Sequence, residues 1–248
     1  MQAWTNVGGS GDGSSTFRAA PAALLGGRTY IMPWIATARS LHNSGGAPNS
    51  KFETAARTAT TCYMKGVAER IQIQTSDGTP WQWRRLCFTF KGQSLLSGVV
   101  GDGTRQPTAL TSSGWMRQLT DWNNSTPAIN PLISQIFRGT QQVDWRSYFT
   151  APVDTNIISV KMDKTRIIQS GNAQGVMRNY KMWMPMNSNL HYDDEEAGSD
   201  EADFVLSTPG KPGMGDYYIV DILSSGTGGT STNILTFDPE ATLYWHEK

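Results

Sequence analysis

One stretch in the first third of the chain constrains the fold most, because it alternates apolar and polar side chains. Its first half, Thr61–Thr75, ends in RIQIQT, which has the two-residue period of a half-buried β-strand. The turn SDGTP follows at 76–80, and residues 81–91 (WQWRRLCFTFK) form a second strand-like run. Two such runs around a short turn predict a β-hairpin.

Further strand-like runs recur along the chain, each bounded by residues typical of turns. They cover residues 28–41, 157–162, 176–186, 217–223 and 233–245. Pro33 cannot donate a ladder hydrogen bond, so the first of these runs is predicted to be an edge strand, to carry a bulge or to break. Asp238-Pro239 predicts a bend in the last run.

Helical patterns are weak by comparison. Residues 92–130 are rich in Gly, Ser, Thr and Asn and predict long loops with one short helix near Gly114–Leu119, whereas 131–138 (PLISQIFR) fits a short helix or a strand. About eight strands with long connections predict an all-β fold, an antiparallel double-sheet sandwich for which the jelly roll is the best candidate. Residues 28–248 are predicted to form this single domain, after a flexible N-terminal segment at 1–27.

Composition excludes several classes of protein. The 248 residues are 38% hydrophobic and include nine Trp, which excludes a disordered chain and suffices for a core without disulfides. Cys62 and Cys87 are predicted to be buried, reduced thiols. No run approaches the ~18 apolar residues of a transmembrane helix, and no signal-peptide pattern is present at the N-terminus.

Charge is distributed unevenly, although the formal net charge is zero. Residues 1–182 hold 19 Lys and Arg against 9 Asp and Glu, a net +10, and residues 183–248 hold 2 against 12, a net −10. This asymmetry indicates a face for an anionic partner, or head-to-tail contact between identical subunits, or merely uneven surface loops.

Catalytic patterns are absent from the sequence. His42, His191 and His246 form no HExxH or HxH arrangement, and there is no GxSxG, P-loop or GxGxxG match. We therefore expect no enzyme activity, no cofactor and no metal site. The acidic segment 191–203 (HYDDEEAGSDEAD) is predicted to be a solvated loop, with a subunit contact or a calcium site as alternatives.

Basic and aromatic residues interleave between residues 51 and 91, which favours nucleic-acid contact because arginine neutralises phosphate and aromatic rings stack on unpaired bases. The candidate residues are Lys51, Arg57, Lys65, Arg70, Trp83, Arg84 and Arg85. The alternative is an aromatic core with ion pairs at its rim. A regular strand places Arg84 and Arg85 on opposite faces, so at most one of them is expected to face DNA.

The same segment resembles the coat proteins of genomoviruses, which are small circular single-stranded DNA viruses. The resemblance rests on Cys62-Tyr63-Met64 with Gly66, Ile71-Gln72-Ile73-Gln74, Pro80-Trp81-Gln82-Trp83-Arg84-Arg85, Cys87-Phe88-Thr89-Phe90-Lys91-Gly92, Tyr217-Tyr218-Ile219-Val220-Asp221-Ile222 and Ala241-Thr242-Leu243-Tyr244-Trp245-His246-Glu247.

This resemblance implies a single jelly-roll domain that assembles into a small icosahedral shell of about sixty copies around circular single-stranded DNA. It implies a virion protein that is imported into the host nucleus and has no membrane partner. The family carries a Lys/Arg-rich N-terminal arm, whereas residues 1–50 here contain only Arg18, Arg28 and Arg39. We therefore expect the sequence to be the ordered part of a longer chain.

A carbohydrate-binding, lectin-like β-sandwich is the alternative function. In that interpretation Trp81 and Trp83 would stack on sugar rings instead of on bases.

Overall fold

The computed structural model describes residues 1–7, 16–51, 55–198 and 200–247, and these residues form mostly β-strands. The strands are β1 (Ala3–Thr5), β2 (Arg18–Ala19), β3 (Ala22–Leu25), β4 (Thr29–Ile35), β5 (Thr61–Thr75), β6 (Trp81–Phe90), β7 (Ala109–Thr111), β8 (Gly114–Leu119), β9 (Ser159–Ile168), β10 (Met177–His191), β11 (Glu195–Ala197), β12 (Asp200–Ala202), β13 (Asp216–Ser225) and β14 (Ile234–Glu247). A 3-10 helix spans Ser94–Val99 and helix α1 spans Thr126–Ile136.

Two four-stranded antiparallel sheets stack face to face. Sheet I has the order β10-β5-β14-β3, and sheet II has the order β4-β13-β6-β9. Their shared interior holds Ile71 and Ile73 of sheet I against Trp81 and Trp83 of sheet II. The predicted all-β sandwich is confirmed.

The predicted hairpin of β5 and β6 is wrong, because the two strands belong to different sheets. The turn between them carries the chain across the sandwich. Both strands turn large apolar side chains toward the same interior, so they face each other across the core instead of pairing edge to edge. The bounds of β5 agree with the sequence prediction, and β6 ends one residue earlier than predicted.

The long connection between β6 and β9 covers the outer face of sheet II. Helix α1 contributes Leu132 and Ile136 to a second core that also contains Leu86 and Phe88 of β6. The rings of Phe88 and Tyr218 stack with centroids 5.2 Å apart. Strands β4, β6 and β13 of sheet II are therefore largely buried on both faces, whereas its edge strand β9 is mostly exposed and sheet I keeps one open face.

This connection corrects two secondary-structure predictions. Gly114–Leu119 is a strand, not a helix, because it pairs in parallel with β1 and antiparallel with β7. Residues 131–136 of the ambiguous run are helical and form the second half of α1.

The N-terminal segment 1–27 is not simply a flexible tether. Its strand β3 pairs with β14 and buries Ala22 and Leu24 completely, because every second side chain of β3 faces the core. The Gly/Ser tract at 8–15 lies outside the described residues.

The two prolines in strands have different outcomes. β4, which contains Pro33, is an edge strand of sheet II, as predicted. The predicted bend at Pro239 is absent from the described residues, since β14 runs without a break from Ile234 to Glu247. Strand β3 begins at Ala22, opposite Phe237, so among the described strands none pairs with that side of β14 at Pro239.

A cluster of four buried charges lies between the sheets. It joins Glu69 of sheet I, Arg85 and Asp221 of sheet II, and Arg117 of β8, and all four side chains are fully buried. Arg85 Nε lies 2.7 Å from Asp221 Oδ1, and its Nη1 donates to Glu69. Arg117 lies 2.7 Å from Asp221 and 3.0 Å from Glu69.

Both positive charges of the cluster are matched by a carboxylate, so the four charges sum to zero. Burial lowers the pKa of Arg85, but Asp221 and Glu69 outweigh this effect and raise it above its usual value. Burial raises the pKa of Asp221, but Arg85 and Arg117 outweigh it and hold the pKa below its usual value. Arg85 and Asp221 are therefore charged at neutral pH.

Replacing Arg117 by Met should destabilise the fold by roughly 3–5 kcal/mol, because two buried carboxylates then share Arg85 and one negative charge is left uncompensated. Urea unfolding measures this change in free energy. The exposed Arg138→Met is the matched control and should shift it by no more than about 0.5 kcal/mol. The double variant Glu69→Gln with Arg117→Met should lose less free energy of unfolding than the two single variants lose together, because the two side chains interact. Equal stability of the Arg117 and Arg138 variants would contradict the role of the cluster.

Candidate nucleic-acid interface

Four of the predicted nucleic-acid residues lie inside the protein. Arg57, Trp83 and Arg85 are fully buried, and Arg84 is 5% exposed. Apart from Nε of Arg57, their side-chain nitrogens hydrogen-bond within the protein, so these residues present no surface to a polymer. The prediction that these four residues contact nucleic acid is therefore corrected. The sequence could not reveal their burial, because carboxylates such as Asp163, Asp194 and Asp221 lie far from them along the chain.

The alternation of β6 explains where its two arginines point. Arg85 enters the interior between the sheets, and Trp83 beside it donates from Nε1 to Asp221 at 2.7 Å. Arg84 points to the other face, where it makes two hydrogen bonds to Asp163 of 2.9 and 2.7 Å. The predicted opposite orientation is confirmed, and both arginines serve the fold.

Arg57 ties the acidic segment to the body of the protein. It forms a bidentate pair with Asp194 at 2.5 and 3.0 Å, reaches Asp203 at 3.0 Å and lies 3.8 Å from the ring centre of Tyr192. The segment 191–203 is therefore partly buried and includes the strands β11 and β12, instead of being a solvated loop. The described residues contain no group of three or more His, Cys, Asp and Glu side chains that could hold a metal ion.

The other three predicted residues are accessible and lie at or near the open face of sheet I. Lys51 and Arg70 are exposed, and Lys65 is half-buried with its Nζ 5.6 Å from the ring centre of Tyr63. Arg70 lies between Lys181 and Glu240 in the strand register, so its charge is partly balanced.

Two aromatic rings project from the same face. Trp183 and Tyr244 are 52% and 49% exposed, and their rings meet edge to face at 5.8 Å. Gly66 lies beneath them with φ of +152°, and a Cβ there would approach the Trp183 ring to 2.8 Å. This glycine thus makes the room that the exposed indole occupies.

Two cavities adjoin at Trp245, and we call them together the Trp245 groove. The first, of about 740 Å³, lies between the β7–β8 hairpin and β14 and includes Arg39, His42, Ser112, Trp115 and Thr242. The second, of about 770 Å³, includes Lys51, Lys65, Trp183, Tyr244 and His246. Ala56, Leu243 and Trp245 line both cavities.

The groove is basic and aromatic. Within the described residues its one acidic lining residue is Glu247, whose carboxylate accepts hydrogen bonds from Thr58 and from Trp245 Nε1. Burial raises the pKa of Glu247, but these hydrogen bonds outweigh it and lower the pKa below its usual value. A groove with cations and aromatic walls can hold a single-stranded nucleic acid, whose phosphates need cations and whose bases stack.

The buried segment that carries Arg39 into this groove is held by two neighbours. The Tyr192 hydroxyl donates to the Thr37 carbonyl at 2.7 Å. The Asp216 carboxylate accepts from Thr37 Oγ1 at 3.2 Å and from Ser207 N and Oγ at 2.9 and 2.8 Å.

Both cysteines are buried free thiols, as predicted. Burial raises the pKa of Cys62 and of Cys87 to about 12, so both stay protonated and unreactive at neutral pH.

Sequence reasoning missed the aromatic part of the groove and Arg39. One signal for Trp183 was present: Met182 and Met184 share the inward face of β10, so the residue between them must point outward. Arg39 gave no signal, because a single Arg after an apolar run is typical of a strand end.

No helix among the described residues is long and apolar enough to cross a membrane. The sequence matches no known protein-family model, and no curated protein matches it significantly.

Asp216 should make stability depend on pH. Burial raises its pKa from 3.8 to about 6, against the hydrogen bonds from Ser207 and Thr37, which lower it. The folded state therefore binds more protons than the unfolded state between about pH 4 and pH 6. The contribution of Asp216 to stability is complete below about pH 4 and is lost as the pH rises through 6.

Asp216→Asn removes this dependence. The free energy of unfolding of the natural protein, relative to that of the variant, should fall by roughly 3 kcal/mol between pH 4 and pH 7 in urea titrations. Glu196→Gln, at an exposed position, is the control and should leave the pH profile unchanged. A constant difference between the natural protein and Asp216→Asn at all pH values would contradict the assignment.

Proposed function

We propose that this chain is the shell-forming coat protein of a small circular single-stranded DNA virus of the genomovirus kind, with a jelly-roll fold. One observation carries the proposal, namely the way in which the strands of sheets I and II pair along the chain. The resemblance of the segment around β5 and β6 to genomovirus coat proteins and the Trp245 groove add to it.

The eight strands of the two sheets pair from the outside of the sequence inward. β3 pairs with β14, β4 with β13, β5 with β10 and β6 with β9. A long ribbon paired in this way and rolled into two facing sheets has the connectivity of a jelly roll, a fold that viral shells share with lectins and cupins.

The unequal covering of the two sheets favours a shell over a free monomer. The connection between β6 and β9 adds a layer on sheet II, while sheet I stays open with its aromatic and basic residues. A wall needs an inner and an outer surface, and the open face, where Lys65, Arg70 and Lys181 outnumber Asp238 and Glu240, suits the side that meets the genome. The exposed Val100, Val143 and Ile167 then lie at subunit contacts.

The lectin-like alternative loses its proposed platform. Trp81 and Trp83 are 1% and 0% exposed, so neither ring is free to stack on a sugar. The exposed pair of Trp183 and Tyr244 lies among Lys51, Lys65 and His246, which favours an anionic ligand over a neutral glycan.

The purified protein, with a basic arm restored if one is missing, should assemble into closed particles of about sixty copies in the presence of single-stranded DNA. Size-exclusion chromatography with light scattering measures the mass, and electron microscopy shows the particle. We expect assembly in the host nucleus and recovery of the chain from virions. A monomer at every ionic strength and DNA concentration would overturn the proposal.

Lys51→Gln with Lys65→Gln should weaken the binding of a dT oligonucleotide. Each lysine–phosphate ion pair that is lost should lower the slope of log affinity against log salt by about 0.7, so the double variant should lower it by about 1.4, because fewer counterions are released. Fluorescence anisotropy over a salt series measures both effects. Lys161→Gln with Lys164→Gln, which removes two exposed charges from β9, is the matched control. The same salt slope in both double variants would contradict the groove as the binding surface.

A further inference from the structure

Arg39 differs from the other buried arginines that the structure describes. It is 4% exposed, yet no described carboxylate lies within 4 Å of its guanidinium, whereas Arg57, Arg84, Arg85 and Arg117 each pair with at least one. A buried cation without an anionic partner is costly, so its position calls for a physical explanation.

The contacts of Arg39 satisfy only part of its guanidinium. Nη1 donates to the carbonyls of Ala36 and Ala38, and Nη2 lies 3.2 Å from Met1 Sδ. Nε has no hydrogen-bond partner among the described residues. Burial lowers the pKa of Arg39 to about 10, so the group still carries its charge at neutral pH.

The surroundings of Arg39 are those of a ligand site. Its guanidinium carbon lies 5.3 Å from the ring centre of Trp115 and 5.9 Å from that of Trp245. The cavity of about 740 Å³ opens beside it, and no Asp or Glu is found among the described residues that line this cavity. Its rim carries hydroxyl and amide groups such as Ser112 and Asn43. Small-molecule sites typically have volumes of about 300–1,000 Å³.

We propose that this cavity binds one nucleotide, with a phosphate group on Arg39 and the base against the indole walls of Trp115 and Trp245. A free nucleotide and a nucleotide within a strand share this chemistry. Only one part of the inference rests on the proposed function, namely that the nucleotide comes from a DNA strand in the natural setting. A carboxylate from another copy of the chain would also neutralise Arg39, but it would leave both indole walls without a stacking partner.

The second cavity of the Trp245 groove supports a strand as the source. It begins at the same indole and carries Lys51 and Lys65, so successive phosphates can follow one path from Arg39 to these lysines.

Isothermal titration of the purified chain at fixed ionic strength tests the site with five probes. They are 5′-dAMP, deoxyadenosine, inorganic phosphate, the oligonucleotide dA10 and a synthetic peptide of residues 191–203. We expect dAMP to bind more tightly than either of its fragments, and dA10 to bind at least as tightly as dAMP. Binding of dA10 without measurable binding of dAMP, if Arg39→Gln abolishes it, assigns the site to the strand and also supports the proposal.

Two variants and a control accompany the probes. Arg39→Gln should weaken the binding of dAMP or dA10 by at least about tenfold, because the variant cannot form the charge-assisted hydrogen bond to phosphate. Ser112→Glu places a negative charge at an exposed position of the rim without touching the packing of Arg39, and it should also weaken binding. The exposed Arg138→Gln should bind like the natural protein.

Three results would overturn the site: unchanged binding in folded Ser112→Glu and Arg39→Gln, phosphate binding as tight as that of dAMP, or binding of the acidic peptide in place of nucleotide. Electron microscopy of the same samples separates this inference from the proposed function. Shells that form without nucleotide binding overturn only the site, and nucleotide binding by a permanent monomer overturns only the shell.

Discussion

Glu69, Arg85, Arg117 and Asp221 form the cluster on which the rest of the structure depends. They come from β5, β6, β8 and β13, so one cluster joins sheet I, sheet II and the small sheet that contains β8. A buried charge tolerates few arrangements, because each oxygen and each N–H needs its partner. A slip of one residue would turn the core side chains of a strand to its other face and would also separate these charges from their partners, so the cluster reinforces the register of both sheets.

The cluster also explains why the tryptophans surround the interior. Trp83 donates to Asp221 and lies 5.1 Å below the guanidinium of Arg85, and Trp34 lies 4.4 Å below that of Arg117. The indoles exclude water from the ion pairs and offer their π-faces to the cations. The cluster lies in the interior and does not constrain the outer faces of the two sheets, which differ. The connection between β6 and β9 covers sheet II, while sheet I keeps exposed aromatic and basic residues.

Features that depend on a single strand, such as its extent and the face on which each side chain lies, can be predicted from the sequence. The alternation in β5 and β6 predicts their extents and the opposite faces of Arg84 and Arg85. It cannot reveal which strand lies beside another, so the predicted hairpin is wrong. It also cannot show that Asp221, 136 residues away, neutralises Arg85, and an arginine without a visible partner is therefore predicted to contact DNA. In the groove, Lys51 and Lys65 are predictable because a cation that reaches solvent needs no distant partner. Trp183 and Tyr244 become neighbours only through the pairing of β5 with β10 and β14.

The buried arginines that the structure describes differ in how the chain neutralises their charge. Where stability is the only requirement, the chain supplies a carboxylate, as Asp163 does for Arg84 and Asp194 does for Arg57. At Arg39 it supplies two carbonyls and two indoles, which position the cation but do not cancel its charge. An internal carboxylate there would stabilise the folded chain and would also repel any anion that enters the cavity. A fold whose described residues leave the charge of Arg39 uncompensated at a cavity wall gives up some stability and keeps an electrostatic preference for an anion from outside.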